Sequence, residues 1–421
     1  MGYFPSLKNI EEARERLRGC VNHTSLMRSE FLSREYGCEA LLKREDLQVV
    51  RSYKLRGAYN KILSMSDAQR ACGVVCASAG NHAQGVAFSC KKLGIRGAIF
   101  MPVTTPKQKV RAVGLFGDGA VEIILTGDTF DETAAQAQAY CEEHKMSFVH
   151  PFDNEKIIEG QATVGVEIME DNGSVGSGGA IDYLFVPIGG GGLLAGVGSY
   201  FSHVSPDTKI IGVEPEGAAS MKAALDAGEL VTLADVDKFV DGASVKRIGE
   251  LNFEVGRQVL HDVITVPEGM ICTTILDMYN REAIVVEPAG ALSIAALRIY
   301  KDKIAGKRVV SVVSGGNNDI TRNEEIKERS LLFEGLKHYF IVRFAQRAGA
   351  LRDFLGEALG PNDDITFFEY KKKTARENGP ALIGIELQNR DDFAPLLERM
   401  KAQGIAYEYL NDQPDLFELL V

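Results

Sequence analysis

The chain has 421 residues, of which 45% are hydrophobic and 25% charged, the balance of a soluble globular protein with more than one domain. Its 47 basic and 58 acidic residues give a formal net charge of −11. This argues against nucleic-acid binding, because phosphate backbones are bound by a surplus of Lys and Arg. The N-terminus lacks a signal-peptide pattern and no apolar run is long enough to span a membrane. With seven scattered cysteines in no metal-binding pattern, these features predict a cytoplasmic protein with reduced thiols.

Short β-branched stretches alternate with helical stretches from Gly73 to Ser314. The apolar stretches are residues 74–78, 97–102, 121–125, 183–188, 209–215 and 308–314. Stretches that are apolar on both faces favour buried parallel strands, and the strand-then-helix order favours βαβ units in an open α/β sheet. Active sites in such folds collect at the carboxyl ends of strands, which here are the regions of Ser78, Gly189 and Ser314.

The composition changes near residue 330. The segment after Ser330 contains 12 of the 33 Phe and Tyr residues but only 7 of the 43 glycines, and the polar stretch before it indicates a linker or an exposed helix. The tail predicts the order β-α-β-β-α-β, which is a ferredoxin-like unit. We expect most of its aromatic side chains to lie in the sheet core, among them Phe340, Phe344, Phe367 and Phe368.

Three segments of the first part carry candidate functional residues. Lys54 lies in LKREDLQVVRSYKLRGAYNK (42–61), and a lysine in a partly apolar pocket is typical of Schiff-base chemistry. The turn SAGNHAQG (78–85) joins a strand to a helix, so its N–H groups suit a carboxylate. GGGGL (189–193) lets the backbone approach a phosphate closely and matches neither the dinucleotide nor the P-loop pattern.

Two further segments end at the same predicted sheet edge. VVEPAGA (285–291) contains Glu287, and SVVSGGNND (311–319) contains Ser314, whose hydroxyl is placed to contact a ring nitrogen. Each of the five segments alone has an ordinary structural explanation, such as a solvated helix start, a common turn or a flexible glycine loop. Their specificity comes from their occurrence together in one order.

In that order the five segments resemble those of the fold-type II pyridoxal 5′-phosphate (PLP) enzymes, over residues 15–320. The first two segments look like those of the threonine dehydratase branch, and the tail looks like its single ACT-like regulatory domain. The resemblance implies an α/β fold with two open, mostly parallel α/β subdomains in residues 1–325, the smaller one at 57–150. A linker at 326–335 and a C-terminal α+β, ACT-like (ferredoxin-like) domain at 336–421 would follow.

The resemblance also implies a role for each matched residue. Lys54 would form the Schiff base with PLP and act as the base at Cα, and Tyr53 would cover one face of the ring. Asn81 would bind the 3′-hydroxyl of the cofactor, and Ser314 its ring nitrogen. The phosphate would be bound by Gly189, Gly190, Gly191, Gly192 and Leu193. The substrate carboxylate would be bound by Ser78, Ala79, Gly80, Asn81 and His82.

A metal site is not expected. In the related serine racemases a divalent-cation site follows the VEP strand. Here Ala218 and Ser220 follow Glu214, with no acidic residue at the last ligand position, so we expect no strong magnesium site.

The implied reaction is the dehydration and deamination of L-threonine to 2-oxobutanoate and ammonia, at the start of isoleucine biosynthesis. L-serine would be a secondary substrate, isoleucine an inhibitor and valine its antagonist, in a homotetramer. A serine dehydratase or serine racemase is the alternative on the same scaffold, and a non-catalytic amino-acid or PLP sensor is the alternative of another class. The ACT-like tail favours the threonine dehydratase, since racemases and catabolic dehydratases generally end near the predicted linker.

Overall fold

The computed structural model describes residues 2–370, 378–413 and 416–417. The chain divides into two compact units, Met1–Ile320 (unit 1) and Thr321–Val421 (unit 2). The strands of unit 1 are β1 (Leu26–Arg28), β2 (Glu39–Arg44), β3 (Val74–Ala77), β4 (Gly97–Met101), β5 (Val121–Leu125), β6 (Ser147–Phe148), β7 (Tyr183–Pro187), β8 (Lys209–Pro215), β9 (Asp262–Val266) and β10 (Arg308–Val313). All six apolar stretches singled out in the sequence of unit 1 therefore form strands.

The helices of unit 1 largely alternate with the strands, as the sequence predicts, although two helices follow one another at three places. They are α1 (Leu7–Leu17), α2 (Glu30–Tyr36), α3 (Lys54–Leu63), α4 (Asp67–Cys72), α5 (Asn81–Leu93), α6 (Lys107–Gly117), α7 (Phe130–Glu143), α8 (Glu155–Asn172), α9 (Gly192–Val204), α10 (Ser220–Ala227), α11 (Glu250–Val259), α12 (Glu268–Glu282) and α13 (Pro288–Ile304). Short 3-10 turns lie at Glu45–Leu47, Glu216–Ala218 and Ile320–Arg322.

Two sheets make up unit 1. The larger has the order β1-β2-β10-β7-β8-β9, and the smaller, between residues 74 and 148, has the order β5-β4-β3-β6. The strand pairs are parallel except for β1 with β2. β3, β4, β7 and β10 are buried along their whole length, which is the burial predicted from their apolar sequences. The prediction is wrong for β5, which lies at the sheet edge and is partly exposed because only one neighbour covers it.

The candidate residues stand where strands of these sheets end and helices begin. α5 begins at Asn81, four residues after β3 ends, and α9 begins at Gly192, five residues after β7 ends. The N-cap of α9 is Gly191 with φ +88°, a left-handed conformation that glycine adopts without steric cost. α13 begins with Pro288, whose fixed φ suits a first helical position.

Unit 2 has the predicted β-α-β-β-α-β order. Its elements are α14 (Asn323–Phe333), β11 (Lys337–Ala345), α15 (Ala350–Glu357), β12 (Asp364–Tyr370), β13 (Asn378–Glu386), α16 (Phe393–Ala402) and β14 (Ala406–Tyr409). The sheet order β12-β13-β11-β14, with antiparallel pairs, is that of a ferredoxin-like fold. Residues 371–372, predicted to continue β12, lie outside the described residues.

The core of unit 2 contains Phe340 and Phe344, as expected, but the expectation is wrong for Phe367 and Phe368. Both are 38% exposed, because β12 is an edge strand of the sheet. Most of the segment 326–335, predicted as a linker, lies in α14. The Tyr339 hydroxyl donates to Glu328 at 2.6 Å, which fixes this helix to β11.

The described helices of both units include none that is long and apolar enough to cross a membrane.

Candidate active site

Lys54 is the first residue of α3, and its side chain points towards the segment that precedes α8. Its Nζ donates to the carbonyl of Pro151 at 3.0 Å and lies 5.4 Å from the ring centroid of Tyr53 and 5.9 Å from that of Phe152. Burial lowers the pKa of Lys54 to about 8, against the opposing charge of Glu287. A larger fraction of this amine is therefore neutral near pH 8 than for an exposed lysine.

The tetraglycine turn connects β7 to the first turn of α9. Among the described residues, no hydrogen-bond acceptor takes the N–H groups of Gly190, Gly191, Gly192 and Leu193. Four such donors at the start of a 13-residue helix could bind an anion, because the N–H groups and the helix dipole act in the same direction.

Phe152 packs directly against this turn. A Cβ built on Gly190 would lie 2.2 Å from Phe152 Cγ, and one on Gly191 would lie 2.7 Å from Ile248 Cδ1. Asn252 Nδ2 donates to the carbonyl of Gly190 at 2.7 Å. Gly190 and Gly191 are thus required by the protein atoms behind the turn.

Asn81, at the start of α5, joins two other candidate segments. Its Nδ2 donates to Glu287 Oε1 at 2.6 Å, and its Oδ1 accepts from Asn317 Nδ2 at 2.7 Å. Burial and the charge of Asp241 raise the pKa of Glu287 to about 7, although the hydrogen bond from Asn81 lowers this pKa.

Ser314 follows the last residue of β10 and is bound to the lysine segment. Its carbonyl accepts from Tyr53 N at 3.2 Å, and Gly316 N donates to Arg51 O at 2.9 Å. The Ser314 hydroxyl donates to the Ala289 carbonyl at 3.2 Å. The structure therefore brings Lys54, Tyr53, Asn81 and Ser314 into one connected region at the carboxyl ends of the strands.

Comparisons with known proteins match both units. Residues 17–315 match the family described as "Pyridoxal-phosphate dependent enzyme". Residues 328–420 match the "C-terminal regulatory domain of Threonine dehydratase". The biosynthetic L-threonine dehydratase IlvA of Bacillus subtilis is 59% identical over 419 residues, which is 99% of this chain and 97% of that one. The chain belongs to the biosynthetic threonine dehydratases.

Solved structures agree with membership in this family. Threonine deaminase isoform 2 of Solanum lycopersicum superposes with a TM-score of 0.72 at 36% identity, covering 78% of this chain and 96% of that one. Maize serine racemase superposes with a TM-score of 0.71 at 31% identity, covering 78% of this chain and 98% of that one. The C-terminal match to a threonine dehydratase regulatory domain distinguishes this chain within that wider group.

The described residues fit the PLP that the family uses. PLP offers an aldehyde, a phosphate, a ring hydroxyl and a ring nitrogen. Lys54 supplies a partly buried amine, and the tetraglycine turn supplies a set of N–H groups without acceptors among the described residues. Phe152 lies so close to this backbone that a side chain at residue 190 would collide with it, which explains the glycine there.

The turn predicted to bind the substrate carboxylate has fewer free donors than its sequence suggests. Gly80 N already donates to Ser78 Oγ at 3.2 Å. The His82 ring is buried, with Nε2 2.8 Å from the Val149 carbonyl. Burial, followed by the charge of Lys54, lowers the pKa of His82 to about 3. His82 is thus a neutral side chain bound to a neighbouring strand end, which leaves the backbone N–H groups of Ala79, Asn81 and His82 as the candidate donors.

Glu214, which follows the pattern of a metal position at which no strong magnesium site is expected, is engaged by the protein. It accepts from Met221 N at 2.7 Å and from Lys222 N at 2.9 Å. Burial raises its pKa to about 7.

A buried ion cluster beside the lysine was not predicted. Arg56, two residues after Lys54, donates to both carboxylate oxygens of Glu45 and of Glu167 at 2.7–2.8 Å. Lys43 Nζ donates to Glu167 at 2.6 Å. Arg56, Glu45 and Lys43 are fully buried. The cluster ties the start of α3 to β2 and α8. A second basic residue, Arg56, two positions after Lys54 was its only sequence signal.

Phe152 and Asn317 were not predicted as site residues either. Phe152 follows the short strand β6 in a stretch without glycine or a recognisable motif. Asn317 lies in the segment SVVSGGNND (311–319), but nothing in this sequence distinguishes its role from that of Asn318.

Proposed function

We propose that this chain catalyses the PLP-dependent dehydration and deamination of L-threonine to 2-oxobutanoate and ammonia. The observation that carries this proposal is the partly buried Lys54 amine, which lies near the same Phe152 ring as a glycine turn whose N–H groups have no acceptor among the described residues, in a chain of this family. L-Serine is proposed as a secondary substrate, since it has the same carboxylate, amine and β-hydroxyl.

The roles of the cofactor-binding residues follow from their chemistry. Bound PLP supplies an electron sink for the pair left when a bond at Cα breaks. Lys54 holds it covalently, and Gly189, Gly190, Gly191, Gly192 and Leu193 hold the phosphate. Tyr53 covers one face of the ring, and the Asn81 amide donates to the 3′-hydroxyl.

Lys54 is also proposed as the base for the substrate. With the substrate bound, the Lys54 amine would take the proton from Cα. Its lowered pKa supports this step, because a neutral amine is needed to accept a proton. Loss of the Cα proton and the β-hydroxyl is a net loss of water, and hydrolysis then gives 2-oxobutanoate and ammonia.

Ser314 is proposed to face the ring nitrogen. A hydroxyl has one donor hydrogen, which here lies towards the Ala289 carbonyl. To donate to an unprotonated ring nitrogen, Ser314 must release that weak bond of 3.2 Å. A serine does not enforce a protonated ring as an aspartate would, and this suits elimination better than transamination.

We propose that unit 2 regulates this activity by binding isoleucine as an inhibitor, with valine as an antagonist. The matched regulatory family supports the role, and among the described residues of unit 2 there is no cluster that would hold a metal. Homotetramer formation and a cytoplasmic location are part of this proposal.

One steady-state assay tests the proposal. Ammonia release is measured with L-threonine and with L-serine, each with and without isoleucine and valine. We expect faster turnover of threonine, inhibition by isoleucine and relief by valine. Serine racemisation without ammonia release would instead favour the racemase, and PLP binding without turnover of either substrate would favour a sensor.

A further inference from the structure

One chain of hydrogen bonds crosses four of the five candidate segments. Asn317 Nδ2 donates to the Val50 carbonyl at 2.8 Å and to Asn81 Oδ1 at 2.7 Å. Asn81 Nδ2 then donates to Glu287 Oε1 at 2.6 Å. The bonds therefore run from the loop before Lys54, through the strand end after Ser314, to the turn at Asn81 and the segment before α13.

This chain determines which way each amide points. The oxygen and nitrogen of an amide side chain have nearly the same shape, so their partners decide the orientation. The Val50 carbonyl only accepts, so it fixes the amide nitrogen of Asn317 on its side. Both N–H groups of Asn317 are then used, and the second one requires the oxygen of Asn81.

The orientation of Asn81 has a direct consequence for its second N–H group. With its oxygen on Asn317 and one N–H on Glu287, no described residue takes the other N–H. We propose that Asn317 and Glu287 are positioning residues, which hold the Asn81 amide so that this N–H faces the 3′-hydroxyl of PLP. The inference rests on the proposed function, since it assigns the partner of Asn81.

Glu287 is itself held in place. It is 6% exposed, and its backbone N–H donates to the Gly315 carbonyl at 3.2 Å. A Cβ on Gly315 would lie 2.2 Å from Glu287 Oε1, so the carboxyl fits only because this residue is glycine. The charged groups that affect it are Asp241, Lys109 and Lys54. A carboxyl accepts a hydrogen bond whether it is ionised or neutral, so the Asn81 contact does not require a particular charge.

The test replaces Asn317 by an acceptor of the same shape. Asn317→Asp removes both donors and puts an oxygen opposite Asn81 Oδ1, so the Asn81 amide loses its fixed orientation. Equilibrium dialysis of the apoprotein measures affinity for PLP and for its analogue without the 3′-hydroxyl. We expect the parent to prefer PLP by about 10- to 100-fold, the range for a hydrogen bond to a charged group, and Asn317→Asp to lose most of that preference.

Three other variants make the comparison specific. Asn318→Asp is the matched control, because it makes the same chemical change one residue away, and it should keep the preference of the parent. Glu287→Ala should lose the preference, whereas Glu287→Gln, which keeps an acceptor oxygen, should retain most of it. The visible absorption spectrum of bound PLP should shift in Asn317→Asp and Glu287→Ala only.

The outcomes separate this inference from the proposed function. A parent chain that binds no PLP contradicts the proposed function itself. A parent that binds PLP and its analogue equally, or an Asn317→Asp variant with the preference of the parent, overturns the positioning role and leaves the function intact. If Asn317→Asp does not fold, as judged by circular dichroism, the Glu287 pair decides the question, and equal preferences in Glu287→Ala and the parent overturn the inference.

Discussion

The buried cluster around Arg56 allows a quantitative prediction about stability. Arg56→Met keeps much of the side-chain length but removes the charge and the donors that bind Glu45 and Glu167. Breaking a buried ion pair from one side costs about 3–5 kcal/mol, because the remaining carboxylate is buried without compensation. We expect a loss of this size, since Lys43 still reaches only one of the two carboxylates.

The corresponding change in melting temperature follows from the size of unit 1, Met1–Ile320. At about 2.1 cal/mol/K per residue, its unfolding entropy is about 0.7 kcal/mol/K. The expected loss therefore lowers Tm by about 4–7 °C near pH 7.5. Differential scanning calorimetry of the full chain measures the change.

The loss of stability in Arg56→Met should also depend on pH, in a direction set by the pKa of Glu167. Burial opposes ionisation of Glu167, yet the charges of Arg56 and Lys43 hold its pKa at about 2. Its contribution to stability in the parent is therefore present above its unfolded pKa and is lost as pH falls towards 2. In Arg56→Met the folded pKa of Glu167 should rise, so the deficit relative to the parent should shrink between pH 7.5 and 5.

The control is Lys222→Met, which removes an exposed pair with Asp226 and should cost at most about 0.5 kcal/mol. A Tm change for Arg56→Met no larger than that of the control, or a deficit that does not shrink with falling pH, would refute the reasoning.

The remaining predictions concern cofactor binding, turnover and regulation. Lys54→Ala should fold, as judged by circular dichroism, but lose the visible band of covalently bound PLP and nearly all turnover; a variant with parental activity would contradict the assignment. Gly191→Val should weaken PLP affinity, because residue 191 has φ +88° and its Cβ would meet Ile248. Gly94→Val is the control, since residue 94 has φ +65° and open space around its Cβ. Equal PLP affinity in both variants would place the phosphate elsewhere. Ser314→Ala should lower the elimination rate by about one to three decades, the effect of one catalytic hydrogen bond, and an unchanged rate would remove it from the site. A chain that ends at Ile320 should still act on threonine but not respond to isoleucine, and an unchanged inhibition midpoint would show that the effector site is outside unit 2.

The sequence was informative about the fold because burial and periodicity are local properties. All six predicted apolar strands of unit 1 form, and the β-α-β-β-α-β order of the tail is correct. The wrong predictions concern strands at the edges of sheets. Neither β5 nor the Phe367 and Phe368 side chains are buried as expected, since a strand sequence does not show which strand ends the sheet.

The candidate site was predicted as a set of separate segments, and their roles remain predictions. What the sequence did not provide was the set of contacts between them. Phe152 lies between Lys54 and the glycine turn only because the chain folds back there. Glu287 was noted, but its bond to Asn81 spans 206 residues and has no sequence pattern.

The hydrogen-bond chain from Val50 to Glu287 also bears on how such a protein evolves. Each amide in it fixes the polarity of the next, so a single exchange of donor for acceptor leaves two like groups facing each other. Compensation then requires a second exchange in another segment, which makes the effects of substitutions at Asn81, Glu287 and Asn317 interdependent. Laboratory selections that randomise one segment at a time should therefore recover the parental residues at these positions. Because the Val50 carbonyl can only accept, libraries that vary Asn317 and Glu287 together should still retain a hydrogen-bond donor at residue 317.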